Sequence, residues 1–243
     1  MRSLLASIAF CTRIPIAAPF SAEDVGRAAR WFPLVGALLG AISLGLSWLL
    51  WPFLPAPMVA VAILIVEALL TGALHYDGLA DTADGLGGGK TTEDCLRIMR
   101  DHAIGSYGAL SLILLIALNA SAIAALVSAD RISPYLLLAP VIGRWNIVLL
   151  SRYFPYARSS EAVSRYIGTG ELVWATVLAA CAVLGVARWH GAVCWAVAAI
   201  AASLFGTYCL RRIRGVTGDT LGATEQISEG IVLLLGVVFV GRI

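Results

Sequence analysis

Apolar residues along this chain come in long unbroken blocks, neither alternating as in a half-buried strand nor forming the narrow stripe of a surface helix. Seven blocks stand out, at about 31–53, 57–74, 107–127, 132–150, 171–187, 190–210 and 227–240. At about 1.5 Å per helical residue most of them approach the roughly 30 Å of a bilayer's hydrocarbon core. The pattern predicts an all-α, polytopic integral membrane bundle of about seven transmembrane helices, with residues 1–243 forming one domain.

The polar punctuation is uneven. Residues 1–30 read as an interfacial segment, with Leu4, Leu5, Ile8 and Ala9 on one side of a helix lying at the membrane surface. Thr12-Arg13-Ile14-Pro15 breaks that helix, and Ser21 placed before Asp24 marks the start of the next. Two longer polar tracts, 75–106 and 211–225, are predicted as loops at one end of the bundle, with Thr92-Glu93-Asp94 capping a short helix.

Composition narrows the class. Of 243 residues, 60% are hydrophobic and 13% charged, against about 25% charged in ordinary soluble domains, and the mean hydropathy is +0.88. The short apolar run at 3–11 is followed by Arg13 and lacks a signal-peptidase site. A net charge of +2 argues against nucleic acid as a partner, and the five cysteines show no paired metal-ligand spacing. With seven spans, thirteen of the 17 Lys and Arg fall on one side of the membrane, three on the other, and Arg144 within it. The positive-inside rule then puts the N-terminus and both polar tracts on the cytoplasmic side.

The tract His75 to Lys90 carries the strongest chemical signal. Asp77, Asp81 and Asp84 stand at i, i+4 and i+7, on one helix face. Three carboxylates so placed repel one another unless a cation sits among them, and oxygen-only ligands favour a hard ion such as Mg²⁺; a solvated acidic helix end is the plain alternative. Gly87, Gly88 and Gly89 would let backbone approach a bulky ligand. Arg97 and Arg100 share a face and suit either a diphosphate or a role as positive-inside anchors. Arg13 suits a substrate phosphate or a lipid headgroup. Glu67 and Arg144 lie inside apolar blocks, Glu67 as a functional or a structural carboxyl and Arg144 with Asn146 facing the bundle interior. In the second tract, Asp219 and Glu225 would complete a metal site or orient a sugar hydroxyl, or belong to an ordinary loop with Thr224 as a helix cap.

Taken in order, Thr12-Arg13-Ile14-Pro15, His75-Tyr76-Asp77-Gly78-Leu79-Ala80-Asp81-Thr82-Ala83-Asp84-Gly85, Gly105-Ser106-Tyr107-Gly108-Ala109 and Val216-Thr217-Gly218-Asp219-Thr220-Leu221-Gly222-Ala223 closely resemble the cobalamin synthase family, the adenosylcobinamide-GDP ribazoletransferases. The resemblance runs from the N-terminus to the last block. It implies a Mg²⁺-dependent enzyme of the bacterial cytoplasmic membrane that joins adenosylcobinamide-GDP to α-ribazole or its 5′-phosphate and releases GMP. On that resemblance Asp77, Asp81, Asp84 and Asp219 hold metal, and Asp81 or Asp84 serves as base. Arg13, Glu67, His75, Lys90, Arg97, Arg100, Arg144, Arg158 and Glu225 are the expected substrate contacts. The expected partners are the two substrates and membrane lipid, with a homo-oligomer left open. Two loops depart from the family's pattern: Ser159-Ser160-Glu161-Ala162 replaces a glycine-containing loop, and Arg214 stands where glycine commonly precedes Gly215-Val216-Thr217. Two other classes fit the pattern less well. A CDP-alcohol phosphotransferase would carry Asp-x-x-Asp-Gly-x-x-Ala-Arg, which is absent here, and an ion-coupled transporter built on Glu67 and Arg144 would keep its carboxylates near the midplane.

Overall fold

The computed structural model describes residues 2–158 and 163–241, and every regular element among them is helical. The departing loop Ser159-Ser160-Glu161-Ala162 and the last counted cation, Arg242, lie outside the described residues.

The N-terminal segment folds as α1 (Arg2–Cys11) and α2 (Ala22–Ala28). Ser21 caps α2 reciprocally: its hydroxyl accepts from the Asp24 amide at 3.1 Å, while the Asp24 carboxylate accepts from the Ser21 amide at 3.0 Å. A 3₁₀ turn, Ala29–Trp31, leads into α3 (Phe32–Leu50). There follow α4 (Ala56–Thr71), α5 (Leu74–Gly88), α6 (Thr92–Ile98), α7 (Ser106–Ala129), α8 (Tyr135–Tyr153), α9 (Thr169–Val186), α10 (Arg188–Ile213) and α11 (Gly218–Val240).

Among the described residues five helical stretches are long and apolar enough to cross a membrane: Ala22–Leu50, Ser106–Ala129, Thr169–Val186, Arg188–Ile213 and Gly218–Val240. The pair α4 and α5 makes a sixth if counted together, so the expected seven is approximate. The difference lies in α8, which occupies the predicted block at 132–150 but carries Arg144, Asn146 and Arg152. It is buried along almost its whole length against α3, α9, α10 and α11, so Arg144 and Asn146 meet protein where the neighbouring helices meet lipid, while Arg152 in the last turn is exposed.

The bend between α4 and α5 positions the candidate site. Gly72 and Ala73 are both left-handed, with φ of 65° and 57°, and they turn α5 by 90° from α4. For alanine that conformation costs roughly 1–2 kcal/mol. The aspartate helix therefore leaves the line of the α4 span instead of prolonging it.

Both polar tracts prove more helical than their glycines suggest. α5 continues to Gly88, and α11 begins at Gly218, nine residues before the predicted start at 227. Each interior glycine costs about 1 kcal/mol of helix propensity, which close packing offsets here. A Cβ on Gly87 would stand 2.8 Å from the Tyr107 ring, and one on Gly89 2.6 Å from the Cys95 sulfur. Gly87 and Gly89 are thus fitted to their own chain, while a Cβ on Gly88 would meet only the Ile98 side chain at 3.6 Å, and Gly87 and Gly88 both remain exposed.

Candidate active site

α5 and α11 cross where neither has a side chain. A Cβ on Gly78 would lie 2.8 Å from the Asp219 carbonyl oxygen, and one on Gly222 would lie 3.4 Å from the Gly78 Cα. This contact brings Asp77 and Asp81 of α5 beside Asp219 in the first turn of α11. Asp77 is exposed and Asp81 half-buried. Burial, followed by the charges of Asp77, Asp219 and Asp84, pushes the Asp81 carboxyl up to about 6, with Arg158 opposing.

Asp219 is held in place from a distant part of the chain. The Val216 amide donates to Pro155 and the Ala157 amide to Val216, both at 2.8 Å, which lays residues 155–157 alongside the turn before α11. Arg158 then donates to the Asp219 carboxylate at 2.9 Å, and the Thr217 hydroxyl donates to it at 3.3 Å. Arg158 is thereby the cation of the acidic site.

Asp84 shares the predicted face but does other work. Its two carboxylate oxygens accept from the amides of Gly105 and Gly108 at 2.7 and 2.9 Å, satisfying free donors at the start of α7. Among the described residues no group of three His, Cys, Asp or Glu side chains is gathered closely enough to hold a metal ion by itself. The donor set left for a hard cation is Asp77 and Asp81, oxygen ligands open to solvent. It suits an ion completed by water and phosphate oxygens, as Mg²⁺ usually is; of the other two expected ligands, Asp84 is engaged by the Gly105 and Gly108 amides and Asp219 is paired with Arg158.

Three of the expected substrate contacts, Arg144, Glu225 and His75, are joined to one another inside the bundle, and a fourth, Glu67, lies close by. Buried Arg144 donates to Glu225 and, at 2.6 Å, to Glu229. The other Glu225 oxygen accepts from the Gln226 amide at 2.9 Å and stands 3.3 Å from His75 Nδ1. Half-buried Glu67 lines a small cavity with Ser43, Pro140 and Glu229. A buried guanidinium needs such partners, because its desolvation is otherwise uncompensated. His75 and Glu225 tie α5 to α11 from beneath the crossing.

The remaining cations are spread out. The Arg13 amide donates to Leu70 at 2.6 Å, and its side chain lies across Gly72 at the α4–α5 bend. Exposed Arg97 faces Asp94 at 3.4 Å, and Lys90 and Arg100 are exposed; none of these three lines a cleft beside Asp77.

Two clefts open on either side of Asp77. One, of about 160 Å³, runs between α1, α5, α8 and α11, and Phe10, Leu74, Ile147 and Leu221 form its apolar walls. The other, of about 280 Å³, is lined by Tyr76, Asp81, Asp101, His102 and Ile104. Phe10, Ile147 and Leu221 escaped the sequence reading, since an apolar residue inside an apolar block carries no local mark. Asp101 and His102 stood in a polar tract, and only the fold of α5 onto α7 reveals which cleft they border.

Comparison with known proteins agrees over nearly the whole chain. A protein-family model described as cobalamin-5-phosphate synthase matches residues 3–238. A protein of Ralstonia nicotianae named adenosylcobinamide-GDP ribazoletransferase is 40% identical over 240 residues, covering 96% of this chain and 93% of its own. Proteins of the same name from Rhizobium etli and Desulfitobacterium hafniense are 38% and 35% identical, covering 92% and 96% of this chain and 91% and 96% of theirs. No solved structure matches.

Proposed function

The chain belongs to the cobalamin-5-phosphate synthase family, and from that premise we propose that it transfers the cobinamide phosphate of adenosylcobinamide-GDP to α-ribazole or its 5′-phosphate, with release of GMP. The observation that carries the residue assignment is the α5–α11 crossing, which sets Asp77 and Asp81 against the Arg158–Asp219 pair at the edge of two clefts.

In the reaction a ribazole hydroxyl oxygen forms a bond to the phosphorus bearing the cobinamide. The bond from that phosphorus to the bridging oxygen breaks, and GMP departs with that oxygen. Asp81, half-buried beside a cleft and free of backbone donors, takes the hydroxyl proton. Arg158 lies within reach of the same face and offsets negative charge growing on the diphosphate. Asp77 and Asp81 would hold Mg²⁺, with water and substrate oxygens as the other ligands. When bound, the ion supplies Lewis-acid stabilisation of the phosphoryl oxygens. We assign the membrane as the bacterial cytoplasmic membrane and the site to its cytoplasmic face, on the Lys and Arg asymmetry.

The test is GMP release by detergent-solubilised protein given both substrates and Mg²⁺. Asp81→Asn should lose about 10²–10⁴-fold in turnover with its thermal transition retained, and chelation should silence the wild type. Wild-type rates from Asp81→Asn at saturating Mg²⁺ would remove Asp81 from the mechanism.

A further inference from the structure

The two clefts beside Asp77 differ in chemistry, and a two-substrate transfer needs two seats that meet at one reacting group. The larger cleft exposes carboxylates, an imidazole and a phenol. The smaller one has a wall of another kind. Phe10 from α1, Leu74 from α5, Ile147 from α8 and Leu221 from α11 present hydrocarbon, and the backbone of Gly78 and Gly222 lies bare between them. Its polar groups gather at Asp77 and Asp219, while His75 Nδ1 is engaged by Glu225.

We propose that this smaller cleft seats the flat aromatic base of the ribazole substrate, with its ribose hydroxyls turned past Asp219 toward Asp77, which borders both clefts and stands one helical turn from Asp81, the base of the proposed reaction. The assignment rests on the function proposed above. A corrinoid is far too large for a space of about 160 Å³. A diphosphate belongs with Asp77 and Asp81, the pair that would hold Mg²⁺ for it, and both of these line the larger cleft, whereas Asp81 does not border the smaller one. Guanine is flat and of suitable size, and a carboxylate could accept from its N1 and N2 donors, but among the described residues no side-chain amide or hydroxyl lines the cleft to donate to its O6 and N7. A dimethyl-substituted benzimidazole has an apolar edge and two faces that suit Phe10 and the aliphatic wall. Ribose hydroxyls are donors, and the two carboxylates are acceptors.

The seat also accounts for α1. That helix is held to the bundle by Phe10 stacked on Phe32, with ring centroids 5.7 Å apart and planes 3° from parallel. Phe10 nevertheless remains 42% exposed, so part of its surface is left for a ligand. Gly218 borders the same space, and a Cβ placed on it would meet no atom nearer than the Tyr156 hydroxyl at 3.9 Å. A larger residue there therefore enters open volume and leaves the packing of α11 intact.

The experiment uses the full chain in detergent, with Phe10→Ala, Phe10→Leu and Gly218→Leu beside the wild type, each checked by its thermal transition. Turnover of the wild type with both substrates is scored first, and its absence would defeat the proposed function. Binding of α-ribazole alone is then followed by equilibrium dialysis, with free 5,6-dimethylbenzimidazole and GMP as competitors. Phe10→Ala and Gly218→Leu should weaken α-ribazole and dimethylbenzimidazole about three- to tenfold, with Phe10→Leu recovering part of the loss. The KM for α-ribazole should rise in step, and the KM for adenosylcobinamide-GDP and inhibition by GMP should stay unchanged. If the GMP or adenosylcobinamide-GDP constants move instead, or if neither substrate responds, the cleft is not the ribazole seat. In that outcome the transfer reaction itself still stands on the wild-type turnover.

Discussion

Asp81 and Asp84 differ by three positions, yet their surroundings give them opposite roles. Asp84 neutralises the two amides that open α7, so its charge stabilises the fold, whereas Asp81 sits among like charges and destabilises it. Asp84→Asn keeps one acceptor oxygen and loses a charged hydrogen bond, an expected cost of about 1.5–3 kcal/mol. Thermal denaturation in detergent should show that loss, while Asp81→Asn should melt at or above the wild-type temperature because a repulsion is relieved. Equal melting of the two variants would show that Asp84 does not secure α7. The shared face of the three aspartates was legible in their spacing. That Gly105 and Gly108 claim both oxygens of Asp84 was not, because those donors lie more than twenty positions downstream and meet it only once α7 packs on α5. Arg144 was legible as an interior residue for a simpler reason, since no lipid-facing site tolerates a guanidinium. Its partners Glu225 and Glu229 carry no such mark, because 211–225 has the polar, glycine-bearing look of a loop and the last apolar block starts only at 227.

At the level of elements, the turn joining α10 to α11 carries a local conflict. Arg214 is left-handed, with φ of 63°, a conformation that favours glycine. A side chain there costs roughly 1–2 kcal/mol, and glycine returns part of that through the entropy of the unfolded chain. Arg214→Gly should therefore stabilise the protein modestly, by about 0.5–1 kcal/mol, visible as a rise of a few degrees in the thermal midpoint. A fall would mean that the exposed Arg214 side chain makes a contribution larger than its backbone strain. The same turn shows why element boundaries were harder to read than element existence. Seven apolar blocks are visible because burial in lipid demands them, but the first turns of α11 are polar and glycine-bearing. Their helicity comes from contact with α5 and α8, which no window along the chain contains. The glycines of α5 misled for the same reason: close packing, not chain reversal, requires them.

For the molecule as a whole, the connections sort into two ends. The turn between α7 and α8 lies by the last turn of α3, where the Ser47 hydroxyl donates to the Arg131 carbonyl at 2.6 Å. The ends of α7, α8 and α11 that border the aspartates belong to the opposite side of the bundle, together with α6 and Lys90. Cations are concentrated on that aspartate side, where Lys90, Arg97, Arg100, Arg158, Arg211 and Arg212 stand, and Arg131 marks the sparse one. Because short-loop Lys and Arg are retained in the cytoplasm during insertion, the aspartate end should face inward. The orientation can be read with two single cysteines, Lys90→Cys and Arg131→Cys, after replacement of the five native ones, of which Cys181 is exposed. A membrane-impermeant maleimide should modify the cysteine at 131 in intact spheroplasts and the one at 90 only after permeabilisation. The reverse pattern would turn the active face outward, away from its nucleotide substrate, and would overturn the assignment of the site to the cytoplasm.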